Sequence, residues 1–149
     1  MDQNNMQSIT TLIPQSLDDI IRKRRGEAAL RMASESDIEA LKADIDHDLT
    51  NDVVDDWRLI SIVVKAPGGI ELVKVLLLGG SRNHDGAPWI TSQVRKIDLA
   101  RNVLITDNSI YGLGRRGEGE PNRHHLIAVC AAFHKWGFGE TFGVPHFFY

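Results

Sequence analysis

The sequence predicts an α+β fold: a four-stranded antiparallel meander, a C-terminal helix packed on it, and an N-terminal helical segment. Three observations predict it. Apolar residues recur at helical spacing before residue 50 and after residue 122. β-Branched and aliphatic runs lie between those two regions. Turn-forming residues join the runs at hairpin distances. Helices at one end of the chain and strands together in its middle make an α+β arrangement, not an alternating one.

The elements follow in order. Residues 1–13 are polar and expected to fray. Ser16 and Asp19, just after Pro14, mark a helix start, and Leu17, Ile20, Ile21 and Ala28 then fall at helical spacing. Gly26 interrupts that helix at a cost of about 1 kcal/mol relative to Ala. Ser36 and Glu39 spell the S-x-x-E capping box, and Ile38, Leu41 and Ile45 continue it as one apolar stripe. This second helix is expected to run to about Asp48.

From Trp57 the period changes. WRLISIVVKA and IELVKVLLLGG are apolar on both faces, which places them centrally in a sheet covered on two sides. Pro67 and Gly68 suit the two central positions of the turn between them, with a positive φ at Gly68. WITSQVRKID and NVLITDNSIYGL read as a second hairpin, joined to the first by the loop SRNHDGAP. HHLIAVCAAFHKW is the C-terminal helix, with Leu126, Val129, Cys130, Phe133 and Trp136 on one face and Gly137 as its stop.

The chain of 149 residues suits one folded unit, 42% hydrophobic and 25% charged. It divides into an acidic N-terminal helical segment, residues 1–56, and a part from 57 to 149 holding the sheet, the helix and an aromatic tail. The first part carries 6 Lys/Arg against 13 Asp/Glu and the second 11 against 7, so a net charge of −3 covers two halves of opposite sign. One cysteine, Cys130, excludes an internal disulfide and fits a reducing, cytoplasmic setting. The N-terminus lacks the pattern of a signal peptide, and no run approaches 18 apolar residues, so no membrane partner is expected.

Four motifs invite chemistry. Gly112, Gly114 and Gly117 give G-x-G-x-x-G after a strand. A dinucleotide loop needs those glycines at a helix mouth, where N–H groups meet the pyrophosphate. Here Glu118 and Glu120 follow and the helix begins only near Pro121, so the stretch reads as a flexible strand-to-helix loop, basic at Arg115, Arg116 and Arg123. Asp44, Asp46, Asp48, Thr50, Asp52 and Asp55 mimic a calcium loop, but Leu49 stands where its glycine belongs and Asp55 where a bidentate Glu belongs. His124, His125, Cys130 and His134, with His146 beyond, do not complete a tetrahedral zinc set by spacing. Cys130 sits in the apolar IAVCAAF, a context that raises a thiol pKa. No metal and no cofactor is therefore expected. Arg22 to Arg25 spread round a helix as a solvated face.

TSQVRKID…VLITDNSIYGLG, from Thr91 to Gly114, resembles a strand-pair pattern of small uncharacterised proteins of bacteria and their mobile elements. The resemblance implies a bacterial or phage-like source and transfers no catalytic residue.

The function expected from these features is non-catalytic: a small regulatory or inhibitory protein that binds another protein. Three surfaces are candidates. The first is the acidic cluster Asp44, Asp46, Asp48, Asp52, Asp55 and Asp56, which could mimic a nucleic-acid backbone. The second is the loop with Arg115, Arg116 and Arg123. The third is the tail with Trp136, Phe138, Phe142, Phe147, Phe148 and Tyr149, expected to fold back or to dock on another chain. A homo-oligomer is left open. The first alternative is a nucleic-acid binder using Arg82, Arg95, Lys96, Arg101, Arg115, Arg116 and Arg123 on phosphates. The second is a small hydrolase using His84, Asp85 or His124.

Overall fold

The computed structural model describes residues 13–46 and 49–146. The chain is α+β, with a mixed six-stranded sheet and a C-terminal helix. The strands are β1 (Ala28–Met32), β2 (Asp52–Lys65), β3 (Glu71–Ser81), β4 (Ala87–Asp98), β5 (Val103–Thr106) and β6 (Ile110–Leu113). The helices are α1 (Glu35–Glu39) and α2 (Arg123–Lys135). Among the described residues no helix is long and apolar enough to cross a membrane.

The expected four-stranded meander is corrected in three places. NVLITDNSIYGL is two strands, because Thr106 turns the chain: its hydroxyl accepts from the N–H groups of Asn108 and Ser109. β2 begins at Asp52, five residues before Trp57, so the acidic connector is itself strand. The N-terminal segment adds β1, antiparallel to the second half of β2, with Leu30 opposite Ile62.

The sheet also closes. β6 runs parallel to the start of β2, with Asp52, Val53 and Val54 opposite Tyr111, Gly112 and Leu113. Strands β2 to β6 thus form a ring, and β1 hangs outside it on the far half of β2. Closure needs curvature, and register shifts supply it in β2 (Asp55/Arg58), between β3 and β4 (Leu76/Leu78), and in β4 (Val94/Lys96). Asp56 takes φ +50° at the bend of β2. Gly79 lies opposite it, where a Cβ would collide with the Val54 side chain and the Asp55 carbonyl. Only glycine lets β3 approach that close.

Alternation along the strands then feeds two cores. One fills the ring with Val54, Trp57, Leu59, Val75, Leu77, Val94, Ile97 and Leu104. The other lies between the sheet and α2, where Ile60, Leu76 and Leu78 meet Leu126, Val129, Cys130 and Phe133. Four of the five predicted helix-face residues are buried there, whereas Trp136, past the last turn, is 40% exposed.

Neither N-terminal helix forms as expected. Residues Leu17–Asp19 make a single 3-10 turn. The N–H groups of Arg22 and Lys23 donate to the Phe142 carbonyl at 2.8 and 2.9 Å. The backbone donors that would extend a helix go to the tail instead, and Leu17, Ile20 and Ile21 are buried in the α2 core. The second helix is only five residues long. Its capping box is Ser34–Asp37, two residues before the one read from Ser36–Glu39. Asp37 is held in that role by Arg31 and Ser61, at 2.6 and 2.8 Å. The helix stops because Leu41 and Ala43 join β4: Ile97 N–H donates to the Leu41 carbonyl, and Ala43 N–H to the Ile97 carbonyl.

Two turn readings hold in detail. Gly68 has φ +85° between β2 and β3, and Gly137 has φ +90° after α2.

Candidate functional site

The glycine stretch is a clasp around the bend of β2. Gly114 N–H donates to the Val54 carbonyl and Gly117 N–H to the Trp57 carbonyl, both at 2.9 Å. The Trp57 indole N–H returns a bond to the Gly114 carbonyl at 3.0 Å, and the Arg116 guanidinium lies 4.8 Å over its ring. Arg58, only 7% exposed, reaches into the same loop. Its Nε donates to the Gly119 carbonyl and its Nη2 to the Glu118 carbonyl, each at 2.7 Å, while Nη1 reaches Asp56. A Cβ at Gly114 would strike the Asp55 carboxylate, and one at Gly117 the Arg58 guanidinium. The glycines are therefore explained by close packing against charged side chains of β2. The expectation of a flexible loop is corrected: hydrogen bonds to β2 pin it along its length.

The acidic cluster is divided between the interior and the surface. Asp52 is buried and accepts from Val53 N–H (2.7 Å), Asn83 N–H (3.1 Å) and the Ser81 hydroxyl (2.5 Å). Asp55 takes a two-pronged contact from Arg82 and a backbone bond from Arg115, which together hold its carboxyl down at about 2. Asp56 sits beside Arg58 at 3.3 Å. Asp44 and Asp46 face solvent, with Arg101 3.8 Å from Asp44. Asp48 lies outside the described residues. The cationic residues are divided in the same way. Arg82 is on Asp55, Arg95 on Asp107 and Arg101 on Asp98, while Lys96, Arg115, Arg116 and Arg123 are exposed.

Sequence reading missed one cluster, which brings Asp52 into contact with Ser81, 29 positions away. The Ser81 hydroxyl, fully buried, lies between the Asp52 carboxylate and His84 Nδ1, at 2.5 and 2.8 Å. A hydroxyl has one proton. Ser81 gives it to the carboxylate and so accepts from His84 Nδ1–H. A nucleophilic serine needs the opposite polarity, donating to an unprotonated imidazole nitrogen. What this arrangement does is order the loop after β3. His84 also stacks on Trp89 (centroids 4.6 Å apart), whose indole N–H reaches the Tyr111 hydroxyl at 3.2 Å. Asp85, at φ +54°, turns the chain beside it.

The histidines of α2 are dispersed. His124 is exposed and His125 is buried; His134 bonds the Val144 carbonyl at 2.9 Å and stacks on His146. Burial pushes the Cys130 thiol up to about 12. Among the described residues no group of three or more His, Cys, Asp or Glu is placed to hold a metal ion. Of the tail, Phe138 and Phe142 pack on the α2 core, and Phe138 meets Phe133 edge to face. Phe147, Phe148 and Tyr149 lie outside the described residues.

One concave surface stands apart from these self-satisfied clusters. A groove of 590 Å³ runs between the start of β4 and the outer face of α2. Pro88, Trp89 and Ile90 form one wall; Ile127, Ala128, Ala131 and Ala132 form the other; His124 and Lys135 stand at its ends. The sequence contains its cause. The helix shows alanine where it faces β4, which leaves a recess beside the half-buried Trp89 and Ile90.

The chain matches no family model, no curated protein and no solved structure.

Proposed function

We propose that the chain is a non-catalytic binding protein, regulatory or inhibitory in effect, whose partner is another protein. One observation carries the reading: the apolar groove between Trp89 and α2, lined by alanines and with Lys135 at one end. A recessed apolar trough accepts a partner's aliphatic or aromatic side chain, and such anchors dominate the energy of protein interfaces. Lys135 favours an acidic residue flanking that anchor. The acidic segment adds little support, because Asp52, Asp55 and Asp56 are engaged within the chain. The basic surface is likewise reduced by the pairs on Arg82, Arg95 and Arg101.

The test fills the groove. Wild type, Ala128→Arg, Ala131→Arg and an exposed control outside the groove lining, Glu140→Gln, are used as bait in extracts of the source cell. Retained proteins are identified by mass spectrometry, and each is then purified and titrated by calorimetry. The reading expects a protein that binds wild type and the control alike and loses at least about tenfold in affinity for the arginine variants. Equal binding by all four would remove the groove as the interface. Recovery of nucleic acid alone, released by moderate salt, would replace the reading with phosphate contact through the exposed arginines.

A further inference from the structure

We infer that the outer edge of β3, Glu71–Lys74, pairs with the same edge of a second copy of this chain to form a two-fold dimer. β3 is covered by β2 along its length, but β4 lies beside it only from Leu76 to Ser81. The hairpin of β2 and β3 therefore projects past the ring with an open ladder. Its polarity can be read from one bond: Leu77 N–H points toward β4, where it donates to the Thr91 hydroxyl at 3.1 Å. Pairing of β3 with β2 is regular from Leu78 to Glu71. Alternation then directs the N–H and C=O groups of Val73 and Glu71 to the same, open side, and the open edge ends at Val75, which is buried beside β4.

The side chains on this arm also call for a cover. Ile70, Leu72 and Val73 are 61%, 52% and 37% exposed, three of the five large apolar side chains exposed among the described residues. An open apolar edge is a template for another strand.

The observations favour a second copy because the edge complements itself. A two-fold axis at Val73 makes Val73 and Val73 of the second copy a hydrogen-bonded pair, with Leu72 opposite Lys74 on either side of the axis. Combined with the registers of β1 and β2, one face then carries the row Ala29, Val63, Val73 and the same three residues in reverse order from the second copy. On the other face Val64 and Leu72 meet the stem of Lys74 and Ile62 of the second copy. No two like charges are set opposite each other, so the register has no cross-strand repulsion. Beside Val75 the edge opens into a groove of 300 Å³ over Ala40 and Leu41, which leaves room for the end of an incoming strand.

The test is sedimentation equilibrium of the full chain from micromolar to millimolar protein, with three variants. Val73→Pro removes an outward N–H and spares the bonds to β2. Val73→Lys sets two cations face to face at the axis. Val73→Cys brings two thiols to a Cα separation of about 5.5 Å, within disulfide range. Wild type should be dimeric at the upper concentrations. Both Val73→Pro and Val73→Lys should dimerise at least about tenfold more weakly, with unchanged circular dichroism. Val73→Cys should cross-link under oxidised glutathione, whereas Leu72→Cys, out of register with its own copy, should not. If Val73→Pro does not fold, the lysine and cysteine variants decide. A monomer throughout, or a dimer indifferent to Val73→Lys, would overturn the inference. So would equal cross-linking from positions 72 and 73.

Discussion

Arg58 is the residue on which the clasp around β2 turns, and truncating it offers the sharpest check on that reading. Its guanidinium is 7% exposed and makes two bonds of 2.7 Å to the Gly119 and Glu118 carbonyls, with a third contact to Asp56. Hydrogen bonds with one ionised partner contribute about 1.5–3 kcal/mol each. The two carbonyls belong to exposed residues and rehydrate once released, so the lower part of that range applies to each. Arg58→Ala should therefore cost about 3 kcal/mol. For a chain of 149 residues that lowers the Tm by about 6–12 °C. Arg58→Lys should recover less than half of the loss, because one ammonium cannot reproduce the parallel fork that spans two successive carbonyls. Urea denaturation gives the free energy, and amide exchange gives the location: Gly117 N–H, bonded to the Trp57 carbonyl, should lose protection ahead of α2. A cost below about 0.5 kcal/mol, the range of ordinary surface substitutions, with unchanged exchange at Gly117, would refute the clasp.

Two further outcomes follow from the same geometry. Gly114→Ala should destabilise by about 1–3 kcal/mol, since its Cβ meets the Asp55 carboxylate that Arg82 holds. Gly26→Ala, with nothing within 4 Å and no positive φ, should be neutral or stabilising by up to about 1 kcal/mol; chemical denaturation of both compares the sites directly. His125 should give stability an acid limb. Burial lowers its pKa, against Asp56, which raises it, and with Arg58 and His124, which lower it further. Its Nδ1 is buried without a hydrogen-bond partner. A histidine whose folded pKa is depressed stays neutral in the native state while the unfolded chain takes up a proton. Stability is then complete above about pH 6.5 and falls below it, by at most about 1.4 kcal/mol per pH unit. His125→Phe should flatten the slope of unfolding free energy between pH 7 and 5, and an unchanged slope would assign that limb elsewhere. Asp37 acts in a separate window. Burial raises its pKa, but bonds from Arg31, Ser34 and Ser61 outweigh that and bring it to about 2. Its contribution is lost between about pH 4 and 2.

Much of the local structure was legible because it depends on residues close in sequence. The α2 stripe of Leu126, Val129, Cys130 and Phe133, the turn at Gly68 and the stop at Gly137 each follow from a period or a φ requirement. The inert setting of Cys130 was legible for the same reason, since its neighbours on α2 are apolar. The Asp52–Ser81–His84 cluster was not. Nothing in the sequence marks Asp52 as the one aspartate of its segment that turns inward, because that depends on a strand 29 residues away. The groove was half legible: its alanines are plain in the sequence, but the wall they face, Trp89 and Ile90, belongs to another element.

What the sequence alone determined about this chain is the presence of apolar strands in its middle, the amphipathic C-terminal helix and the absence of an internal disulfide. These rest on side-chain spacing and composition, and no distant partner alters them. Only the tertiary structure decided that the sheet closes through β6 onto β2, that the N-terminal segment yields a strand, and that the glycine stretch is a clasp. Each of those depends on backbone donors and charged side chains choosing partners far along the chain. The Phe142 carbonyl takes the N–H groups that would have extended a first helix, and Arg58 takes carbonyls sixty residues away. Local propensity is worth tenths of a kcal/mol per residue, and burial with satisfied hydrogen bonds is worth several, so at those positions the long-range partner prevailed.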